Sequence, residues 1–389
     1  MQWKLATSKR PLDHSQGNRG YNMNNLDEFE PVARIVVIGV GGAGNNAVNR
    51  MIDDKIDNVS FWVANTDKQA LATSRAKNRL ILGESITHGL GAGGEPAMGR
   101  DAAEHSREEI EKIVEGADLV FIAAGMGGGT GTGAAPVIAE IAKRNGALTI
   151  AIVTRPFTFE GKKRIQNSVE GLGNLKDIVD SIIVVSNDKL LMVNGNRPIS
   201  DAFSESDKVL AQSVKTVVDL ILMPAVINLD FADVKNTLKD SGISLIGFGM
   251  GTGKDKARQA AQNAVNSPLL EASLHGARKA IVAVTCGTNV SLYEAQHTVD
   301  WIIETSGSNN IDIKFGVALN DLLEDSILVS VIASDFEEAY DFTKVPTPTL
   351  IRQPLQEEKD DDEEEQRQDN EDGLDILPDF LKGMLDDND

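Results

Sequence analysis

Three short windows hold the residues best suited to binding chemistry. Residues 39–44, 89–94 and 125–133 carry 14 of the chain's 35 glycines in 21 positions. Glycine lets the backbone adopt positive φ and approach a ligand closely, so that successive N–H groups converge on an anion. The densest window runs Gly125-Met126-Gly127-Gly128-Gly129-Thr130-Gly131-Thr132-Gly133, between the apolar run DLVFIAAG and the helical stretch AAPVIAEIAKR. A loop feeding a helix N-terminus binds phosphate through free N–H groups and the positive dipole end, and the two threonines add hydroxyl donors. The window Gly39-Val40-Gly41-Gly42-Ala43-Gly44 reads as GxGxxG after a strand, with Asp67 23 residues beyond Gly44. Alone, that is a dinucleotide fingerprint, and it keeps an NAD-dependent oxidoreductase open. A dinucleotide site, however, gives no role to the second, denser loop.

The other phosphate-binding pattern, GxxxxGK[ST], is missing. Its nearest approach, Phe248-Gly249-Met250-Gly251-Thr252-Gly253-Lys254-Asp255, lacks the first glycine and puts Asp255 where a magnesium-binding hydroxyl belongs. Phosphates would therefore be held by backbone, hydroxyls and a metal ion, without a dedicated lysine. A second cluster, Asn228-Leu229-Asp230-Phe231-Ala232-Asp233, sets two carboxylates three residues apart at a helix start, where capping is the plainest role. Cys286 is the single cysteine, which excludes an intramolecular disulfide and any multi-cysteine metal site. In AIVAVTCG it reads as a small buried residue.

The elements that must position these residues follow from apolar pattern. ARIVVIGV, VSFWVANTD, DLVFIAAG, ALTIAIVT and SIIVVSND are strand candidates, with helical stretches such as NNAVNRMIDD and SREEIEKIVEG between them. Alternation of this kind predicts a doubly wound α/β domain over 33–198. Leu210, Val214, Val217, Val218 and Ile221 fall at helical spacing, predicting a long central helix over 199–222. A smaller α+β domain over 223–345 follows, with strand candidates AIVAVTCG, IDIKFGVAL and SILVSVIA and a helix at SLYEAQHTVDWIIE. Residues 1–32 read as a disordered extension, 346–372 as an acidic disordered linker, and 373–389, around LDILPDFLKGML, as a docking peptide.

Charge narrows the function classes. The net charge is −21, yet residues 357–389 alone carry 16 of the 59 acidic and only 3 of the 38 basic side chains. The body is mildly negative and shows no basic footprint for nucleic acid. No apolar stretch approaches the roughly 18 residues a membrane span needs, and MQWKLATSKRPLDHSQ lacks a secretory apolar region. A cytoplasmic protein with neither nucleic-acid binding nor direct membrane insertion is expected.

GGGTGTG, from Gly127 to Gly133, is the signature of the tubulin superfamily. With RIVVIGVGGAGNNAVNRM, VANTD, GLGAGG, TRPFTFEGKKR, SNDKLL and NLDFADVK, the chain resembles the tubulin/FtsZ GTPase family over roughly 33–345. The resemblance implies GTP hydrolysis coupled to head-to-tail self-assembly into protofilaments of the division ring. It implies that Gly42, Ala43, Gly44, Asn45 and Asn46 line the nucleotide, and that Gly127, Gly128, Gly129, Thr130, Gly131, Thr132 and Gly133 cradle its phosphates. Glu160 and Arg164 would contact the ribose and phosphate region. Phe203 would stack on the base while Asn187 and Asp207 read it; from their spacing alone, Phe203 reads as core and Asp207 as an exposed helix charge. A carboxylate there accepts the two adjacent donors of guanine, where adenine would present an acceptor. Asn228, Asp230 and Asp233 would complete the site of the neighbouring subunit, with GTP/GDP bound and Mg²⁺ as cofactor. The tail, 373–385, would dock a membrane-tethering partner such as an FtsA-like protein, holding the chain at the division site on the inner face of the membrane. A tubulin-like scaffold that binds nucleotide without hydrolysis stays open. Two departures stand out: Glu95 puts an anion beside the phosphate loops, and Asp375-Ile376-Leu377-Pro378-Asp379-Phe380-Leu381-Lys382 carries an added Leu377 and a lysine.

Overall fold

The run Ile35–Val40 is buried at all of its six positions, as befits a strand covered on both faces. In a computed structural model, which describes residues 33–194, 199–222, 225–270, 274–306 and 311–336, this strand, β1, lies inside a ten-stranded sheet. The other strands are β2 (Val59–Asn65), β3 (Asn78–Ile81), β4 (Leu119–Gly125), β5 (Leu148–Arg155) and β6 (Ser181–Ser186), then β7 (Gly242–Gly251), β8 (Ala277–Cys286), β9 (Asp312–Leu319) and β10 (Ile327–Phe336). Their order is β3-β2-β1-β4-β5-β6-β7-β10-β8-β9. The expectations for 1–32, 346–372 and 373–389 lie outside the described residues.

The first six strands are all parallel to their neighbours. The chain winds outward from β1 to β3, then returns to the other side of β1 as β4, which makes a topological switch point between β1 and β4. Helices cover both faces. Ile35 and Val37 pack with helix Gly41–Asp53 and helix Ile199–Leu222, while Val36, Ile38 and Val40 pack on the opposite face with helices Pro96–His105 and Thr130–Arg144.

The expected central helix runs Ile199–Leu222, with Val209, Leu210, Val214, Val217 and Val218 buried. The second region attaches through the sheet itself. Its strands continue the first sheet, because β7 pairs parallel with β6 over Gly242–Ser244 and antiparallel with β10 beyond. This strand coincides with the near-match to the phosphate-loop pattern, and its glycines serve packing. A Cβ at Gly247, Gly249 or Gly251 would stand 2.2, 2.2 or 2.0 Å from the carbonyl oxygens of Ala264, Ala260 and Lys256, all on helix Lys256–Val265. The helix thus lies directly on strand backbone. Among the described residues no helix is long and apolar enough to cross a membrane.

Since there is no space for a side chain between helix and strand, Gly249→Val should cost about 3 kcal/mol or more of stability, read as a lower urea midpoint. An unchanged midpoint would mean that the helix and β7 are not in backbone contact.

Candidate functional site

Strands β1 and β4 run side by side, and each ends in a glycine loop that opens a helix: Gly41–Asp53 and Thr130–Arg144. The two helix N-termini therefore meet at the switch point, with their first N–H groups lacking intrahelical acceptors. The loops touch backbone to backbone. Gly41 has φ +72, and a Cβ there would stand 2.9 Å from the Gly131 nitrogen. Gly42 and Gly128, by contrast, face open space, with nothing within 4 Å of a built Cβ.

Behind the loops lies a polar scaffold. Asn45 is buried; with its amide turned so that donors face acceptors, its nitrogen donates to the Gly39 and Gly41 carbonyls at 2.9 Å each, and its oxygen accepts from Asn65 Nδ2 at 3.2 Å. Thr130 Oγ1 lies 2.7 Å from the buried Thr66 Oγ1. Thr132 Oγ1 accepts the Gly127 N–H at 2.8 Å, and Gly133 sits under the Pro96 carbonyl. Asn45, Thr132 and Gly133 thus hold the loops from beneath, while Gly42, Ala43, Asn46 and Gly128 present the accessible surface. Glu95 turns to Lys163 on helix Lys162–Lys176. Asp67, the acid of the dinucleotide fingerprint, caps helix Lys68–Thr73 by accepting from Gln69 N and Ala70 N. That engagement weakens the oxidoreductase reading.

A second wall forms where the central helix begins. The Phe157 ring stacks on Phe159 at 4.9 Å and meets Phe203 edge-on at 5.0 Å, leaving Phe203 41% exposed. Glu160 Oε1 accepts the Phe157 N–H at 2.9 Å, and its other oxygen holds Arg164. Asn187 Oδ1 accepts from Ser206 Oγ at 2.8 Å, which anchors the helix beside β6. The next residue is Asp207, whose carboxyl burial pushes up from 3.8 to about 7, with no charge or hydrogen bond among the described residues to offset it. A desolvated carboxylate of this kind is an acceptor suited to a ligand that carries N–H groups. Its role has no signal in residue spacing; Asn65 and Thr66 are legible only within the VANTD motif.

Asn228, Asp230 and Asp233 are not brought to the loops. The central helix's 24 residues span about 36 Å. Ser206 lies at the loop end, on Asn187 just past the close of β6, whereas helix Phe231–Leu238 leads into β7, whose opening residues pair with the opening residues of β6 at the opposite edge of the sheet. Asp230 caps that helix through Asp233 N at 2.8 Å, and Asn228 Oδ1 accepts from Ala225 N at 2.8 Å. Both aspartates remain accessible.

Residues 34–195 match the model of the Tubulin/FtsZ family, GTPase domain, and residues 242–337 that of the FtsZ family, C-terminal domain. The fold is similar to an FtsZ dimer from M. jannaschii at 41% identity and TM-score 0.74, covering 78% of this chain and 88% of that one. A point mutant of M. jannaschii FtsZ aligns at 40% identity and TM-score 0.76, over 79% and 94%. CetZ2 from Haloferax volcanii, a GTPγS-bound protofilament, shares the fold at 21% identity and TM-score 0.68, over 79% and 94%.

The raised Asp207 value has a definite sign. Between about pH 4 and 7 the folded chain binds this proton and the unfolded chain does not, so the stability of the ligand-free protein falls as pH rises through that window. Asp207→Asn should flatten the slope of unfolding free energy against pH there; an identical slope would place the carboxyl in water.

Proposed function

The chain belongs to the tubulin/FtsZ family, and from that membership we propose that it is a GTPase that polymerises head to tail into protofilaments scaffolding cell division. The observation that carries the reading is the separation within one subunit. Glycine loops at two helix N-termini stand at one end, and two accessible carboxylates stand beyond the other end of a helix about 36 Å long.

A head-to-tail contact brings those ends together between copies. It is heterologous and does not close, so it builds open filaments. In this reading the phosphates rest on the amides of Gly42–Asn46 and Gly128–Gly131. Phe203 stacks on the base, and Asp207 accepts the two adjacent donors of guanine, for which adenine has no counterpart. The neighbour's Asp230, fixed by its cap, and Asp233 orient a water toward the γ-phosphate. Asn228 braces that loop through Ala225. Mg²⁺ supplies charge neutralisation at the phosphates. Among the described residues no cluster of three or more His, Cys, Asp or Glu side chains stands ready for a metal.

The remaining roles are extensions of the same reading: the acidic linker reaches from the filament, and 373–385 docks a membrane-tethering FtsA-like protein at the inner face of the membrane. Deleting 373–389 should leave turnover intact and abolish tethering.

Phosphate release per subunit, measured against protein concentration with GTP, Mg²⁺ and an ATP control, tests the core of the proposal. Turnover should appear above a threshold concentration and with GTP only. Asp233→Ala should keep filaments and lose turnover by about 100-fold or more. Turnover independent of concentration would discard the shared site, and filaments without turnover in the unaltered chain would favour the non-hydrolysing scaffold.

A further inference from the structure

Lys163, Asn167 and Gly171 fall at i, i+4 and i+8 along one face of helix Lys162–Lys176, and that face lies against the glycine loops. The Asn167 Nδ2 group donates to the Gly94 carbonyl at 3.2 Å and to the Gly127 carbonyl at 3.3 Å. One amide thus ties two loops that are distant in sequence. One turn earlier, Lys163 pairs with Glu95. One turn later, Gly171 leaves room for the Thr132 methyl, which would stand 2.3 Å from a Cβ there, and the Thr132 hydroxyl accepts the Gly127 N–H. Gly127 is therefore gripped on both its N–H and its carbonyl, at a φ of +106.

The grip has a directional consequence. A trans peptide is planar, so turning the Gly127 carbonyl toward Asn167 turns the Gly128 N–H the opposite way. Gly128 itself faces open space. On the other loop, the Glu95 N–H returns to the Ala92 carbonyl at 3.0 Å, which leaves the Gly94 carbonyl for Asn167. Both tied groups are acceptors, which demands a double donor. The Asn167 NH₂ meets that demand; a carboxylate would repel both carbonyls, and an aliphatic side chain would leave both unpaired.

We propose that Asn167 is a positioning residue: by clamping the carbonyls of Gly94 and Gly127 it aims the Gly128 amide into the phosphate site. The assignment rests on reading the glycine loops as a nucleotide phosphate site, and its test separates the two. Calorimetric titration of GDP and of guanosine into the full chain should show Asn167→Leu weakening GDP about tenfold while guanosine binds unchanged. Asn167→Asp should weaken GDP further, and Asn167→Gln should restore most of the loss. Equal losses for GDP and guanosine, or none for GDP, would overturn the proposal; if Asn167→Leu does not fold, Asn167→Asp carries the same comparison. Amide hydrogen exchange over 92–95 and 125–130 in nucleotide-free protein reads the clamp without any ligand. Faster exchange in both loops of Asn167→Leu supports it even if the unaltered chain binds no guanine compound, a result that would sink the nucleotide reading alone. Unchanged exchange overturns the clamp whatever binds.

Discussion

Everything at the functional end of the molecule depends on two stretches of backbone coming into direct contact. The loop after β1 and the loop after β4 meet where a Cβ on Gly41 would stand 2.9 Å from the Gly131 nitrogen. Side chains of any size would hold the two helix N-termini apart and divide one anion site into two weak ones. With the loops in contact, the dipoles of helices Gly41–Asp53 and Thr130–Arg144 converge on the same small volume. The parallel pairing of β1 with β4 makes that meeting unavoidable, since both strands end at the same edge of the sheet.

Maintaining such a site requires polar groups where a core would prefer apolar ones. Asn45, Asn65, Thr66, Thr130 and Thr132 are all buried, and the contacts described above satisfy them with one another or with loop carbonyls and amides. A partly satisfied network at this depth would be destabilising. Asp207 is the exception, a half-buried carboxyl that desolvation alone raises to about 7. Its desolvation is a cost that the folded chain carries without a compensating partner among the described residues.

Much of this is legible in the sequence, and the parts that are not share a physical cause. The buried strands show as continuous β-branched runs, the loops as glycine clusters, and the central helix as a 3.6-residue pattern anchored by Leu210, Val214 and Val217. Strand β7 is hidden because alternate glycines interrupt its apolar run, and glycine is depleted from strands unless another backbone approaches closely. There it is helix Lys256–Val265 that approaches. The Thr132 hydroxyl is legible in sequence, but its acceptance of the Gly127 N–H is not, because spacing does not show which loop amide it meets. Asn167 gives no signal, for its partners are carbonyls 73 and 40 positions away that carry no side-chain identity. Asp207 needs the family resemblance, since nothing in its immediate neighbours marks it as desolvated.

The attachment of the second half carries a structural meaning. Three residue pairs, Ser181–Gly242, Ile182–Ile243 and Ile183–Ser244, stitch β6 to β7. Beside this seam, helix Ile199–Leu222 packs Val209, Leu210, Val214, Val217 and Val218 into the core. Across the seam the apolar core is continuous: Ile183 and Val185 of β6 share one cluster with Ile246, Phe248 and Met250 of β7 and Ile332 of β10. The two halves therefore share one interior, and a void opened on either side of the seam would loosen packing on both.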